Sequence, residues 1–327
     1  MSRLPRRLRA MLGYALAAVC LYWVLRDLDP GDLLVRVAKM NLFWLAAAIV
    51  FDVLSYVCQG WRWKLLLERV GAVTALQTTK AIYTGLFVNE MLPMKLGEIV
   101  RAFLISRWTA VKLTSVIPSI LLERLYDGIW LAIGIVITIV LVPLPRRLVE
   151  AGDVFALVIL AALFIVALFA LARRSAEDSS PQKSFTALAQ SVAHELQLTG
   201  LTRAGLLAFV LSLILLLLQG SSFWFVMRAY GLALTFPVGL AVFIVVHLGT
   251  LMPTAPANIG SYQFFTVLGL TLFGVEKTTA AGFSLVVFTV LTLPLWAIGF
   301  WAIGSSGLTL LQVRAELATW FRRDRST

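Results

Sequence analysis

Apolar residues in this chain come in long unbroken runs, not in the spaced stripes of a water-soluble helix. Six runs, at 10–26, 42–62, 116–142, 153–172, 205–228 and 278–305, come close to or exceed the roughly 20 residues that cross a bilayer core. Two more, at 78–108 and 236–273, are each broken near the middle, at Leu92-Pro93 and from Met252-Pro253 through Pro256. Proline removes a backbone donor and stops a helix. Each broken run therefore predicts two short helices joined at depth, with structural breaks at Pro93, Pro253 and Pro256. The expected fold class is all-α: a polytopic membrane protein with six transmembrane helices plus two opposed re-entrant helical hairpins. The chain reads as a single membrane domain over 1–327. Its one sizeable polar stretch, 173–204, is expected to be a cytoplasmic linker whose residues 185–198 form an amphipathic surface helix.

Composition supports a bilayer as the solvent. Of 327 residues, 60% are hydrophobic and 14% charged, and the mean hydropathy is +0.90; a soluble domain carries roughly a quarter charged residues. The net charge of +11 does not point to nucleic acid. Its basic residues sit in short clusters between apolar runs, such as Arg3, Arg6, Arg7 and Arg9, Arg62 with Lys64, and Arg322, Arg323 and Arg325. Clusters of that kind mark cytoplasmic loops. If each broken run enters and returns on its own side, the first from the inside and the second from the outside, 20 Lys/Arg fall on the inner side and 7 on the outer, with Arg124 inside a span. That bias predicts an inner-membrane protein with both termini cytoplasmic. The first apolar run has no cleavage-like exit before Arg26 and is expected to stay as a helix. Cys20 and Cys58 lie in apolar runs and read as small hydrophobic filler.

The two halves resemble each other at a near-constant offset. Gln59-Gly60 recurs as Gln219-Gly220, Gly71 as Gly231, and Leu92-Pro93 as Met252-Pro253, each 160 residues on. Past the prolines the second copy gains about three residues, pairing Leu96-Gly97 with Ile259-Gly260 and later Trp130 with Trp296. Repeat halves at about 42–142 and 205–305 follow, with hairpins opening to opposite sides. Such an inverted repeat is a common plan among secondary transporters, and broken helices at depth line cavities in them.

The first hairpin concentrates the charge, with Glu90, Lys95, Glu98 and Arg101 beside the polar Asn89 in an otherwise apolar segment. A charge at mid-bilayer costs about 3 kcal/mol or more, so such groups pair or line a hydrated path. Glu98 and Arg101 are three apart and share a helix face. They read either as an internal ion pair holding the hairpin, or, with Lys95 at the tip and a helix N-terminus behind it, as an anion clamp. The next span opens Glu123-Arg124-Leu125-Tyr126-Asp127. Glu123 and Asp127, four apart, are expected to flank one cavity wall or share one cation, while Arg124 faces elsewhere and is available to the deep Asp52. The second hairpin is uncharged. Asn258 is the expected N-cap of its returning helix, and Gly260 allows close backbone approach. His247 reads as a packing residue or a proton relay.

The series Asn89…Leu92-Pro93…Gly97-Glu98…Arg101, Ser115 and Glu123-Arg124…Asp127 resembles the flippase-like transmembrane family, named for the membrane half of lysylphosphatidylglycerol synthase. The resemblance covers about 10–310. In the second half Pro253 and Pro256 fit its pattern, but Ala257-Asn258 stand where it has glycines and Gln263 where it has a carboxylate. It implies movement of anionic, aminoacylated or isoprenoid-linked lipids between leaflets. Lysyl transfer, which belongs to a separate soluble domain of that family, is not expected here. The expected substrate contacts are Asn89, Lys95, Glu98, Arg101, Asn258 and Gly260, gripping a phosphate-bearing headgroup. The expected coupling and cavity groups are Asp52, Glu90, Glu123, Arg124, Asp127 and His247. No nucleotide loop or hydrolase motif occurs, so neither an enzyme activity, a cofactor nor a bound metal is expected. The rival readings are a membrane enzyme or subunit acting on lipid-linked sugars, or a scaffold for a lipid-modifying enzyme partner.

Overall fold

A computed structural model describes residues 6–26, 28–91, 96–109, 111–142, 196–200, 202–251 and 255–305, and every regular element among them is helical. In chain order these are α1 (Arg6–Leu25), α2 (Pro30–Ala38), α3 (Leu42–Leu67), α4 (Ala75–Met91), α5 (Gly97–Thr109) and α6 (Leu113–Leu141). After a π-turn at Leu196–Gly200 come α7 (Arg203–Ala229), α8 (Phe236–Gly249), a 3-10 turn at Pro256–Asn258, α9 (Ser261–Leu272) and α10 (Lys277–Gly304). The expected span at 153–172, most of the expected helix at 185–198, and Pro93, Lys95 and Pro253 lie outside the described residues.

Among the described residues, four helices are long and apolar enough to cross a membrane: α3, Ser115–Leu141 of α6, α7 and α10. At 26–28 residues each, they run about 40 Å at 1.5 Å per residue, more than the ~30 Å of hydrocarbon. Gly13–Leu25 of α1 and the whole of α8 are shorter apolar helices. The chain is thus a multi-pass, all-helical integral membrane protein. Pro118 and Pro294 sit inside α6 and α10 without ending either helix.

Two local expectations change. The run taken to end at residue 62 continues as helix to Leu67, because Trp63 and Leu65–Leu67 keep it apolar; Arg62 is therefore internal and not part of a surface cluster. The stretch between the first two apolar runs, for which no element was expected, carries α2. Asp29 caps it by accepting from the backbone of Gly31 at 2.8 Å and Asp32 at 3.3 Å, with Pro30 opening the first turn. Arg36 pairs with Asp32 one turn away at 2.6 Å.

The central contact is α3 against α7. Small side chains let the two backbones approach, and Ser222 on α7 donates to the Ala48 carbonyl on α3 at 2.8 Å. On one end of this pair an aromatic layer packs Trp44 and Phe51 on Phe225 and Trp224. The short helices fold back in pairs, α4 on α5 and α8 on α9. Pair α4–α5 sits between α3 and α6, with Trp63, Ile82, Leu104, Ile105 and Val116 in one buried cluster. Pair α8–α9 sits between α7 and α10, with Met227, Val242, Leu270 and Phe283 in another. Each pair also leans on a long helix of the other half: α4 touches α10, and α8 touches α6.

The turn-back of the first pair depends on Gly97. A Cβ there would overlap the Gly85 carbonyl on α4, and the Gly97 amide donates to the Asn89 side-chain oxygen at 2.7 Å. Forcing extra volume into such a contact costs about 1–3 kcal/mol. Gly97→Ala is therefore expected to lower the melting midpoint of the detergent-solubilised protein. Gly128→Ala, where a Cβ meets nothing within 4 Å, is the matched control and is expected to melt as wild type or slightly higher.

Candidate functional site

Between the two halves lies a cavity of about 370 Å³. Its walls come from α3 (Asp52, Tyr56, Gln59), α4 (Asn89, Glu90), α5 (Glu98), α6 (Arg124, Asp127, Trp130), α7 (Ser212, Gln219), α8 (His247), the 3-10 turn (Ala257, Asn258), α9 (Tyr262) and α10 (Thr292). Eight of the residues singled out from sequence meet here: Asp52, Asn89, Glu90, Glu98, Arg124, Asp127, His247 and Asn258. Gln59 and Gln219, the matched glutamines of the two halves, both face the same space.

One wall is closed by a ring of six alternating charges. Arg62 pairs with Asp127, Asp127 with Arg124 at 3.5 Å, and Arg124 with Glu98 at 3.0 Å. Glu98 then pairs with Arg101 at 2.5 Å, Arg101 with Glu123 at 2.7 Å, and Glu123 returns to Arg62 at 3.1 Å. Three guanidiniums balance three carboxylates. In a low-dielectric interior that balance is what makes six charges tolerable, because each ion desolvated without a partner costs several kcal/mol. The ring ties α3, α5 and α6 together, and Arg62 reaches α7 through a 2.8 Å bond to the Ser212 hydroxyl.

This geometry corrects several expectations. Arg124 does not pair with Asp52; it sits between Glu98 and Asp127. Arg101 is not a cavity cation, since its guanidinium is 3% exposed, flanked by Glu98 and Glu123, and stacked over the Trp63 ring at 4.6 Å. The cation shared by Glu123 and Asp127 is Arg62, and Glu123 is fully buried. Asn89 faces the cavity, but its side-chain oxygen is taken up in holding Gly97. Arg124, with half of its side chain exposed, is the ring's one guanidinium open to the cavity. No group of three or more metal-ligating side chains occurs among the described residues.

The second hairpin also departs from expectation. Asn258 is not an N-cap: it lies in a left-handed turn with φ 52°, after Ala257 at φ 55°. Gly260, at φ 90°, takes the cap position, and its amide donates to the Gln263 side-chain oxygen at 2.7 Å. A Cβ on Gly260 would strike the Ala17 carbonyl of α1, so this glycine serves close packing against α1 and not ligand contact. Gln263 is buried and supplies an acceptor that either an amide or a carboxylate could provide. Asn258 keeps its side-chain oxygen buried and without a partner at the cavity wall.

Arg62 is the functional residue missed in the sequence. Its signal was present: Asp52, Ser55, Gln59 and Arg62 are spaced three and four apart, and all four are buried on one face of α3.

The fold and the site define a multi-pass helical membrane protein with a polar cavity between two paired sets of helices and an ionic ring in the cavity wall. The chain belongs to the family described as the lysylphosphatidylglycerol synthase TM region, whose profile matches residues 10–299. Two relatives from Methanothermobacter thermautotrophicus, both called UPF0104 membrane protein, are similar over most of their lengths. One is 22% identical over 91% of this chain and 91% of its own length, the other 20% over 84% and 86%. The glycosyltransferase AglD of Haloferax volcanii is 26% identical over 131 residues, 40% of this chain; the match spans only 21% of that protein.

Proposed function

We propose that this protein is a lipid translocator of the inner membrane, moving a lipid headgroup through the central cavity while its tail stays in the bilayer. The observation that carries this reading is a polar cavity walled by a neutral ionic ring, in which one arginine, Arg124, remains half-exposed. A purely structural ring has no reason to present a guanidinium to a hydrated space. Arg124 would exchange Glu98 and Asp127 for the headgroup phosphate, with the geometry an arginine offers such groups. A volume of about 370 Å³ suits a headgroup and not a whole lipid.

The rest of the lining refines the substrate. Asp52, Glu90, Glu98 and Asp127 line the cavity together with Arg124 and His247. A headgroup carrying only negative charge would add to that carboxylate wall. We therefore favour, within the anionic or isoprenoid-linked lipids expected from sequence, a phosphate headgroup that also bears an amine. The architecture proposed for the movement is six transmembrane helices with α4–α5 and α8–α9 as re-entrant hairpins from opposite sides, in an inverted repeat of 42–142 and 205–305. The exchanged contacts, α4 on α10 and α8 on α6, support it. So does the parallel placing of Gln59 and Gln219. Both termini are proposed to be cytoplasmic.

The partial match to a glycosyltransferase favours a second reading, in which this membrane domain serves a lipid-modifying enzyme as partner. The first test is native mass spectrometry of the protein released from membranes. Retention of a lipid with phosphate and amine groups supports the translocator reading. Retention of only lipid-linked sugars moves the assignment to the second.

A further inference from the structure

The ionic ring leaves two carboxylates of the cavity wall outside it, Asp52 and Glu90, and Asp52 is the more deeply buried. Asp52 is 4% exposed, and its Oδ2 is buried with no hydrogen-bond partner. Ser55, one turn on, donates to the Asp52 backbone carbonyl at 2.7 Å and not to the carboxylate. No Lys, Arg or His among the described residues makes an ion pair with it; Arg62, Arg101 and Arg124 are all taken up in the ring. The titratable groups around Asp52 are Tyr56 on its own helix, Tyr83 and Glu90 from α4, and Tyr262 from α9. From α7 and α10 the cavity receives only Gln219, Ser212 and Thr292 as polar neighbours, α8 contributes His247 and, at its C-cap, Thr250, and α6 contributes the ring members Arg124 and Asp127. Tyr83 directs its hydroxyl to the Val53 carbonyl at 3.3 Å, whereas Tyr56 and Tyr262 face the cavity.

An ionised carboxylate in such a setting is expensive. Without a counter-charge or hydrogen bonds, a buried ionisable group takes its neutral form. A cation brought within a few ångströms reverses that preference. The cavity is where such a cation would arrive.

We propose that Asp52 is the proton-loading site of the transport cycle. It holds one proton while no headgroup ammonium is in the cavity and releases it to cavity water when that ammonium arrives beside it, so one proton is exchanged for each lipid carried. The inference rests on the translocator reading above and adds its energy source: a pH difference across the membrane. The ring takes no part in the proton exchange, because its charges are already matched.

Two experiments test this, and they fail separately. The first needs no transport: infrared difference spectra of the purified protein in lipid, titrated between pH 5 and 9. A protonated-carboxyl carbonyl band that titrates in this range, is absent from Asp52→Asn, and is lost when an alkylamine is added, supports the proposal. Absence of any Asp52-dependent band overturns it. Asn matches Asp in size, and a melting midpoint like wild type shows that the variant is folded. The second is steady-state leaflet distribution of an amine- and phosphate-bearing lipid in proteoliposomes under a pH difference of one unit. One-for-one exchange predicts about a tenfold leaflet ratio, absent from Asp52→Asn. An even distribution with wild-type protein overturns proton coupling and leaves translocation standing. A sodium gradient that drives accumulation where a pH difference does not also overturns it. If wild type moves no lipid, the translocator reading fails, and the infrared result alone decides whether Asp52 is a proton site.

Discussion

Arg62→Ala is expected to leave little folded protein. The guanidinium is fully buried, contacts Glu123 and Asp127 in the ring, and links α3 to Ser212 on α7. Truncation leaves two carboxylates short of a counter-charge where water cannot reach Glu123. Breaking a buried pair on one side costs about 3–5 kcal/mol, a large fraction of the margin of most domains. The check is thermal melting with size-exclusion profiles in detergent. Part of the loss should return in Arg62→Ala/Glu123→Gln, because the second change removes the orphaned charge. A single variant that melts like wild type would mean that the ring is not what holds these helices together.

Arg124→Ala should behave oppositely, with folding kept and transport lost. Its side chain is half-exposed, and its partners retain other cations: Glu98 keeps Arg101 and Asp127 keeps Arg62. Deleting a hydrogen bond to a charged group removes about 1.5–3 kcal/mol, which predicts a fall in translocation of roughly 10- to 100-fold. The melting midpoint is expected to move far less than for Arg62→Ala. Arg124→Lys should recover part of the rate, since an ammonium keeps the charge but not the planar fork. If Arg124→Ala instead unfolds as Arg62→Ala does, the residue is a structural member of the ring and the headgroup contact assigned to it is wrong.

The same contrast explains what the sequence revealed and what it concealed. Long apolar runs mark α3, α6, α7 and α10 because the bilayer constrains length and composition directly. The charged residues of the first hairpin and of α6 stood out for the same reason, and Glu98, Arg124 and Asp127 do meet at the cavity. The Glu98–Arg101 pair followed from its spacing of three, but the partners between helices did not, since the ring joins residues up to 65 positions apart, as in Arg62 with Asp127. Arg62 was hidden by its place near the end of an apolar run, where a basic residue reads as a membrane-surface anchor. Arg101 looked like a ligand-binding cation because a helix face records only local neighbours, and the Glu123 carboxylate that claims it comes from another helix. Asn258 carries a capping side chain, but the left-handed turn at Ala257 and Asn258 passes the cap to Gly260.

The most direct test of the account is translocation of headgroup-labelled lipid in proteoliposomes, wild type beside Arg124→Ala. The account predicts transfer of an amine- and phosphate-bearing lipid well above protein-free vesicles, reduced roughly 10- to 100-fold in the variant in line with the loss of a charged hydrogen bond. Transfer no faster than in protein-free vesicles, for this lipid and for polyprenyl-phosphate and phosphatidylglycerol alike, would contradict it.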